Sequence, residues 1–279
     1  MKYTEYHFHI SPLEPWRDIL LAYLSELPFE SFVETETGFL TYIKVEEEEE
    51  QLIKELPIMS SSDVSITYEK KLSPDINWNE EWEKNFPPVI IENQIYLYAD
   101  FHPIRNEFPF PIKIEPKMSF GTGHHETTYN MLHTMLSMNF EGKEVLDMGS
   151  GTGVLAIFAK MRGAHYVEAI DIDEWSYGNA LENSKKNGVD IDIKLGDANL
   201  LGNHAFDIIL ANINKNILLK DMSKYAENLL PNGQLLVSGI FEHDFDDIIA
   251  ESSKYGLKFD QKLNRNNWIS ILLYKDDIQ

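Results

Sequence analysis

The sequence lacks several features that would place it in particular protein classes. It contains no cysteine, which excludes disulfide bonds and thiolate metal sites. It has no run of about 18 apolar residues, so no membrane span is predicted. The first ten residues, MKYTEYHFHI, alternate polar and apolar side chains and lack the apolar core of a signal peptide. These absences favour a cytoplasmic protein that does not associate with a membrane.

Basic residues are also scarce. Lys and Arg number 24 against 46 Asp and Glu, a formal net charge of −22. Such a field repels nucleic-acid phosphates and attracts basic partners. We therefore expect no direct nucleic-acid binding and, if the substrate is a macromolecule, a basic one. Solubility alone explains the charge about equally well.

The first 72 residues form a predicted small domain. Tyr6, Phe8 and Ile10 alternate with polar residues as in a half-buried strand, and Pro28 ends the amphipathic helix that follows. Two strands, a short acidic helix and a last strand complete the order β-α-β-β-α-β. This order is typical of the ferredoxin-like fold, an α+β class.

Residues 73–88 are predicted to be a linker helix. Trp78, Trp82 and Phe86 fall on one face at helical spacing, and Pro87-Pro88 ends the helix. We expect this apolar face to pack on a domain or to contact a partner.

Residues 89–279 are predicted to be a second domain of the α/β class. After two short strands (89–98 and 112–114), strands and helices alternate as in a doubly wound parallel sheet. Only five residues separate the last two strands, so they should form an antiparallel hairpin at the sheet edge. The predicted strands are 144–148, 166–170, 191–195, 206–211, 234–238, 258–262 and 268–274. Seven strands ending in such a hairpin resemble the Rossmann-like class I S-adenosylmethionine-dependent methyltransferases.

A glycine cluster, VLDMGSGTGVLAIFA, lies where the first of these strands meets a helix. Gly149, Gly151 and Gly153 permit close backbone approach to a ligand. The spacing G-x-G-x-G differs from the G-x-G-x-x-G of dinucleotide sites, and Asp147 would repel a pyrophosphate. An acid beside the loop suits the ammonium group of a methionine moiety instead.

Acidic residues follow the next two strands. Asp171 lies about twenty residues past the loop, where a carboxylate accepts ribose hydroxyls. Asp173 is expected to cap the next helix. Asp197 follows the third strand, at the position that contacts adenine in methyltransferases. Each acid by itself is often a solvated loop residue. Acids at three consecutive strand ends, counting Asp147 with Asp171 and Asp197, favour a cofactor site.

Asn212 follows the fourth strand and is the predicted catalytic residue. Amino methyltransferases often carry Asn/Asp-Pro-Pro-aromatic here, whose carbonyls orient the attacking amine. This sequence has Asn212-Ile213-Asn214-Lys215, without the prolines or the aromatic that stacks on a flipped base. A flexible amine is therefore favoured over a nucleobase. A helix N-cap role remains an alternative for both Asn212 and Asn214.

The stretch KMSFGTGHHETTYNML, residues 117–132, is a second glycine-containing motif. Its composition suits a metal site, a phosphate cradle or a helix cap. His124, His125 and Glu126 are consecutive and point in different directions, so no metal site is predicted. We expect Thr127 or Thr128 to cap a helix. The motif is predicted to cover the cofactor, with Thr128 and Phe120 touching it.

Taken together, the motifs resemble those of the ribosomal protein L11 methyltransferases. MSFGTGHHETT resembles that family's M/L-A-F-G-T-G-T-H-P-T-T, with His124 and Glu126 as departures, and the linker, DIDEW, LANI and NRNNWISILLYK also match. The resemblance implies methylation of lysine and N-terminal amines of a basic large-subunit ribosomal protein, with recognition by the N-terminal domain. It also implies S-adenosylmethionine binding by Thr128, Gly149, Asp171 and Asn212.

Other functions remain open from the sequence. A methyltransferase of another protein, of RNA or of a small molecule is the main alternative. A nucleotide-dependent oxidoreductase is disfavoured by the glycine spacing and by Asp147. A non-enzymatic binding module is a third possibility.

Overall fold

The computed structural model describes residues 3–72, 86–117 and 119–276. The chain divides into two compact units, Met1–Phe86 and Pro87–Gln279. The predicted linker helix, including Trp78 and Trp82, falls largely outside the described residues. In the ranges described, no helix is long and apolar enough to cross a membrane.

The N-terminal unit is a four-stranded antiparallel sheet with helices. Tyr6, Phe8 and Ile10 are buried, as their alternation predicts, and they pack with Leu20 and Leu24 in one apolar core. The spatial strand order is β2-β3-β1-β4. The elements are β1 (Tyr3–Ser11), α1 (Trp16–Ser25), β2 (Phe29–Thr35), β3 (Gly38–Lys44), α2 (Glu50–Lys54) and β4 (Ser65–Leu72).

A three-stranded sheet opens the C-terminal unit. It contains β5 (Val89–Ile91), β6 (Ile95–Tyr98) and β7 (Phe110–Lys113). The single strand predicted over 89–98 is wrong, because it is a β5–β6 hairpin. Glu92 and Asn93 turn the chain with left-handed φ of 49° and 53°, and Gln94 N donates a 2.9 Å hydrogen bond to the Ile91 carbonyl across the turn.

The large sheet of the C-terminal unit has seven strands in the order β10-β9-β8-β11-β12-β14-β13. Strands β8 to β12 are parallel, whereas β14 is antiparallel to both neighbours, which confirms the predicted terminal hairpin. The strands are β8 (Glu144–Met148), β9 (Tyr166–Asp171), β10 (Asp192–Leu195), β11 (Phe206–Asn212), β12 (Leu229–Phe241), β13 (Leu257–Arg265) and β14 (Trp268–Lys275). The helices are α3 (Glu126–Met135), α4 (Val154–Met161), α5 (Glu174–Lys186), α6 (Lys215–Glu227) and α7 (Phe245–Lys254).

Two apolar cores cover the faces of this sheet. Leu146 and Met148 of β8 belong to one core, and Val145 belongs to the other, as the two-residue strand period requires. The order of strands reverses between β8 and β11. Because loops diverge there to opposite sides of the sheet, the carboxyl ends of β8 and β11 leave a crevice, which is where open α/β sheets bind ligands.

Candidate active site

A cleft of about 400 Å³ opens at this edge of the sheet. Its volume is in the range of small-molecule sites. Six of the residues predicted from the sequence line it: Phe120, Gly149, Gly151, Asp171, Asp197 and Asn212. Thr128, Asp147 and Gly153 do not line it.

The glycine loop, residues 149–153, is shaped by contacts with other parts of the protein. A Cβ on Gly149 would lie 2.3 Å from Ile213 Cγ2, and one on Gly151 would lie 2.2 Å from the Phe120 carbonyl oxygen. Both glycines have positive φ, 71° and 54°. Gly153 packs against Ala180 and precedes α4. The loop therefore requires glycine for its own packing as well as for any approach of a ligand.

The cover segment, residues 119–125, lies against the glycine loop. Thr152 N donates a 2.8 Å hydrogen bond to the Phe120 carbonyl, and Thr152 Oγ1 donates one of 2.7 Å to the Gly121 carbonyl. The Phe120 side chain is 52% exposed and forms part of the cleft wall. The backbone of the cover segment is thus fixed while its aromatic ring faces the cleft.

The start of helix α3 differs from the prediction. His125, not Thr127 or Thr128, is the N-cap, because its Nδ1 accepts a 3.2 Å hydrogen bond from Thr127 N. Thr128 is buried, and its Oγ1 has no hydrogen-bond partner among the described residues. Across the described ranges, no three metal-binding side chains come together.

Asp171 and Asp197 present carboxylates at the cleft. Gly151 N donates to Asp171 Oδ2 at 2.8 Å, so the acid after β9 also anchors the glycine loop. Asp197 accepts from Asn199 N at 2.9 Å. Asp173 caps α5 by accepting from Ser176 N, as predicted.

Asp147 faces away from the cleft, contrary to the prediction that it receives the ammonium group. Met148 lines the cleft, and consecutive strand residues point to opposite faces, so Asp147 points toward α4. Its Oδ2 accepts a 3.1 Å hydrogen bond from Ala156 N. Burial is the main cause that raises the pKa of Asp147, and the nearby Asp171 charge adds to it. The Ala156 hydrogen bond lowers the pKa, and the net result is about 7.

The structure separates the roles of the two asparagines at the end of β11 and just past it. Asn214 caps α6, since its Oδ1 accepts from Ile217 N at 3.2 Å. Asn212 Oδ1 is buried without a hydrogen-bond partner in the described part of the chain, and Asn212 lines the cleft. The backbone of Ile213 between them lies close against β12, because a Cβ on Gly239 would be 2.3 Å from the Ile213 carbonyl oxygen. The Asn212 side-chain oxygen is therefore an available hydrogen-bond acceptor at the cleft.

Helix α6 contributes a cleft wall that the sequence reasoning missed. Ile217, Asp221 and Tyr225 line the cleft at a spacing of four residues, with Lys220 beside them. This spacing was the available signal, since the helix itself was predicted. Tyr225 Oη is buried without a hydrogen-bond partner in the ranges described, and Asp221 Oδ1 is buried in an ion pair with Lys224 Nζ at 3.1 Å.

The polar groups of the cleft suit a ligand rich in hydrogen-bond donors. The lining contains Asp171, Asp197 and Asp221 but only one basic side chain, Lys220, together with the free Asn212 oxygen. Carboxylates accept from ammonium, hydroxyl and amino groups and repel phosphates. S-adenosylmethionine carries all three donor types and no phosphate, so these residues fit it.

Comparison with known proteins also indicates a methyltransferase. A family model described as ribosomal protein L11 methyltransferase (PrmA) matches residues 22–276. The ribosomal protein L11 methyltransferase of Bacteroides thetaiotaomicron is 44% identical, covering 97% of this chain and 99% of the relative. That of Porphyromonas gingivalis is 42% identical, covering 99% of each. The crystal structure of a ribosomal protein L11 methylase from Lactobacillus delbrueckii superposes with a TM-score of 0.63 at 26% identity, covering 69% of this chain and all of that one. The chain therefore belongs to the ribosomal protein L11 methyltransferase family, whose methyl donor is S-adenosylmethionine.

Proposed function

We propose that this protein transfers methyl groups from S-adenosylmethionine to lysine side-chain and N-terminal amines of ribosomal protein L11. The relatives that match nearly the whole chain are named for this substrate. The observation that carries the proposal is the buried, unpartnered Asn212 Oδ1 at the cleft. A buried acceptor without a donor costs stability, so its retention favours a role in binding.

The cleft residues would divide the cofactor between them. Asp171 would accept the ribose hydroxyls, and Asp197 would lie at the adenine. Gly149 and Gly151 would pass close to the methionine portion, with Phe120 covering it. Thr128 and Gly153 do not line the cleft. Gly153 precedes α4 in a left-handed conformation, and a contact between Thr128 and the cofactor stays a prediction.

Asn212 would orient the attacking amine. When bound, the cofactor supplies an activated methyl group and a good leaving group, so the protein's main contribution is positioning. Asn212 Oδ1 would accept an N–H of the neutral amine and leave its lone pair free. A lysine in water has a pKa of about 10.4, and the apolar surroundings, including Ile213 and Ile217, favour its neutral form.

The rest of the chain suits a basic protein substrate. The net charge of −22 attracts a lysine-rich partner and repels nucleic acid. We propose that the N-terminal unit is a ferredoxin-like domain that recognises this substrate, and its β2-β3-β1-β4 order supports the assignment. Cytoplasmic location and the absence of direct nucleic-acid binding remain predictions.

The proposal is tested by incubating the protein with labelled S-adenosylmethionine and the ribosomal proteins of its own organism. We expect label in ribosomal protein L11, with mass spectrometry assigning it to lysine and N-terminal amines. If the cofactor binds but no large-subunit protein is labelled, the substrate assignment is wrong.

A further inference from the structure

We propose that Asp221 and Tyr225 form a subsite that recognises the amino edge of the cofactor's adenine. This inference rests on the proposed placement of the cofactor in the cleft. It adds a second contact for the base, on helix α6, to the contact proposed for Asp197.

Both side chains are buried and incompletely paired. Asp221 is 5% exposed and Tyr225 is fully buried, yet both line the cleft. Tyr225 Oη has no hydrogen-bond partner in the part of the chain described. Asp221 Oδ1 lies 3.1 Å from Lys224 Nζ but receives no well-directed hydrogen bond there. A buried hydroxyl without a partner, such as Tyr225 Oη, is rare in protein interiors unless a ligand or an ordered water completes it, and Asp221 beside it keeps room for a further donor.

A chain of polar contacts ties this pair to the adenine end of the cleft. Lys224 Nζ, beside Asp221, donates to Asn199 Oδ1 at 2.9 Å. Asn199 in turn donates through its backbone and side-chain nitrogens to the Asp197 carboxylate, at 2.9 and 3.1 Å. The wall formed by α6 and the loop after β10 are thereby held as one unit around the same part of the cleft.

The position on the helix separates this subsite from methyl transfer. Helix α6 begins at Lys215, just past Asn212. At about 1.5 Å per residue, Asp221 and Tyr225 lie roughly 9 and 15 Å farther along its axis. Tyr225 belongs to the apolar core on this face of the sheet, which includes Ile170 and Ala198 beside the predicted adenine end of the cleft. The pair therefore does not meet the substrate amine at Asn212.

The two groups match the hydrogen-bonding pattern of adenine. The Watson–Crick edge of adenine places the N6 amino donor beside the N1 ring-nitrogen acceptor. A carboxylate accepts from the amino group, while a phenol hydroxyl donates to the ring nitrogen. Burial and the charge of Asp221 raise the pKa of Tyr225, so the hydroxyl keeps its proton. Hypoxanthine presents the reverse pattern, a carbonyl acceptor beside an N–H donor.

This reversal supplies the test. S-adenosylhomocysteine and S-inosylhomocysteine differ only at this edge of the base, and calorimetry measures the affinity of each for the full-length protein. We expect the wild-type protein to prefer the adenine compound by about tenfold or more, the value of one hydrogen bond to a charged group. Asp221→Asn should weaken the binding of S-adenosylhomocysteine and strengthen the binding of S-inosylhomocysteine, because the new amide can donate to the hypoxanthine carbonyl. Tyr225→Phe should weaken S-adenosylhomocysteine by about fivefold or more.

Two substitutions serve as matched controls. Glu227→Gln changes an exposed acid at the end of the same helix, and Tyr255→Phe removes a phenol hydroxyl beyond α7. Both should keep the wild-type ratio of affinities. Tyr225→Phe removes an unsatisfied buried hydroxyl, so its melting temperature without ligand should equal or exceed that of the wild type.

The possible outcomes are distinguishable. If Asp221→Asn and Tyr225→Phe keep the wild-type ratio, the pair binds an ordered water or serves structure only, and the inference is wrong. If Asp221→Asn does not fold, the S-adenosylhomocysteine affinity of Tyr225→Phe decides whether the inference is correct. Asp171→Asn tests separately the assumption that the cofactor binds in this cleft. Unchanged S-adenosylhomocysteine affinity in that variant would show that the cofactor does not occupy the cleft.

Discussion

Two loops at the same sheet edge contribute to the cleft in different ways. The glycine loop after β8 acts through backbone shape, because Gly149 and Gly151 leave no room for a side chain against Ile213 and Phe120. The end of β11 and the turn after it act through side chains, with Asn214 capping α6 and Asn212 Oδ1 without a hydrogen-bond partner among the described residues. The glycine loop sets the geometry of the site, and we propose that Asn212 supplies its chemistry. Substitutions in the two loops should therefore reduce turnover for different reasons: displaced backbone in the glycine loop and a lost side-chain group at the end of β11.

The largest effect is expected from Gly151→Ala. The new Cβ would lie 2.2 Å from the Phe120 carbonyl oxygen, so the loop or the cover segment must shift. We expect turnover to fall by about 100-fold or more, since a displacement of about 1 Å at a site has that cost. Gly256→Ala is the control, because Gly256 has a φ of +75° but no atom within 4 Å of the added Cβ. Equal losses in both variants would show backbone strain, not the contact with Phe120, to be responsible.

Asn212→Ala tests the chemistry of the other loop. We expect turnover to fall by about 100-fold, because the amine loses a positioned acceptor, while S-adenosylhomocysteine affinity changes much less. Asn214→Ala should instead lose about 1 kcal/mol of unfolding free energy, measured by chemical denaturation, with a smaller loss of turnover. Unchanged turnover in Asn212→Ala would contradict the assigned role.

Asp147→Asn tests the buried acid beneath the glycine loop. The folded-state pKa of about 7 exceeds the ordinary value of 3.8, so folding retains the proton. The stability contributed by the protonated form is complete below pH about 4 and is lost as pH rises through about 7. The Asn variant should therefore exceed the wild type in unfolding free energy at pH 8, by roughly 2–4 kcal/mol. The difference should shrink toward pH 4, and a pH-independent difference would contradict the raised pKa.

The smallest effect is expected from Thr152→Val. This change removes the Oγ1 hydrogen bond to the Gly121 carbonyl but keeps the backbone bond to Phe120. We expect a loss of about 1 kcal/mol in unfolding free energy and only a few-fold loss of turnover. Thr152→Ser, which keeps the hydroxyl, should lose less. A loss as large as that of Gly151→Ala would show that side chains, not backbone, hold the cover segment.

Much of the fold followed from local patterns. Strand β8 has the predicted bounds of 144–148. The other strands of the large sheet contain their predicted ranges, except β10, which begins one residue after the predicted start at 191. The hairpin over 89–98 was missed because its turn residues, Glu92 and Asn93, lack the glycine that usually marks a left-handed turn. The cap of α3 was missed because a histidine replaces the usual threonine or serine there.

Site residues could be predicted where their position at the end of a strand is enough to place them in the cleft. They could not be predicted where the direction of the side chain or the packing of a helix decides. Asp171, Asp197 and Asn212 stand at the ends of strands, and parallel strands bring such ends to one edge. Asp147 was assigned to the ligand from its distance along the sequence, but strand alternation turns it toward α4. Asp221 and Tyr225 lie far from any motif, and only the packing of α6 against the sheet brings them to the cleft.

The sequence by itself determined the family, the strand and helix order and the glycine loop, because each depends on residues close together along the chain. Tertiary structure alone decided which of the two asparagines caps a helix and which has a side-chain oxygen without a partner among the described residues. It also decided that the glycines of the loop make room for Phe120 and Ile213. The physical reason is that hydrogen-bond partners and steric contacts arise between segments distant in sequence, and only folding brings these segments within reach.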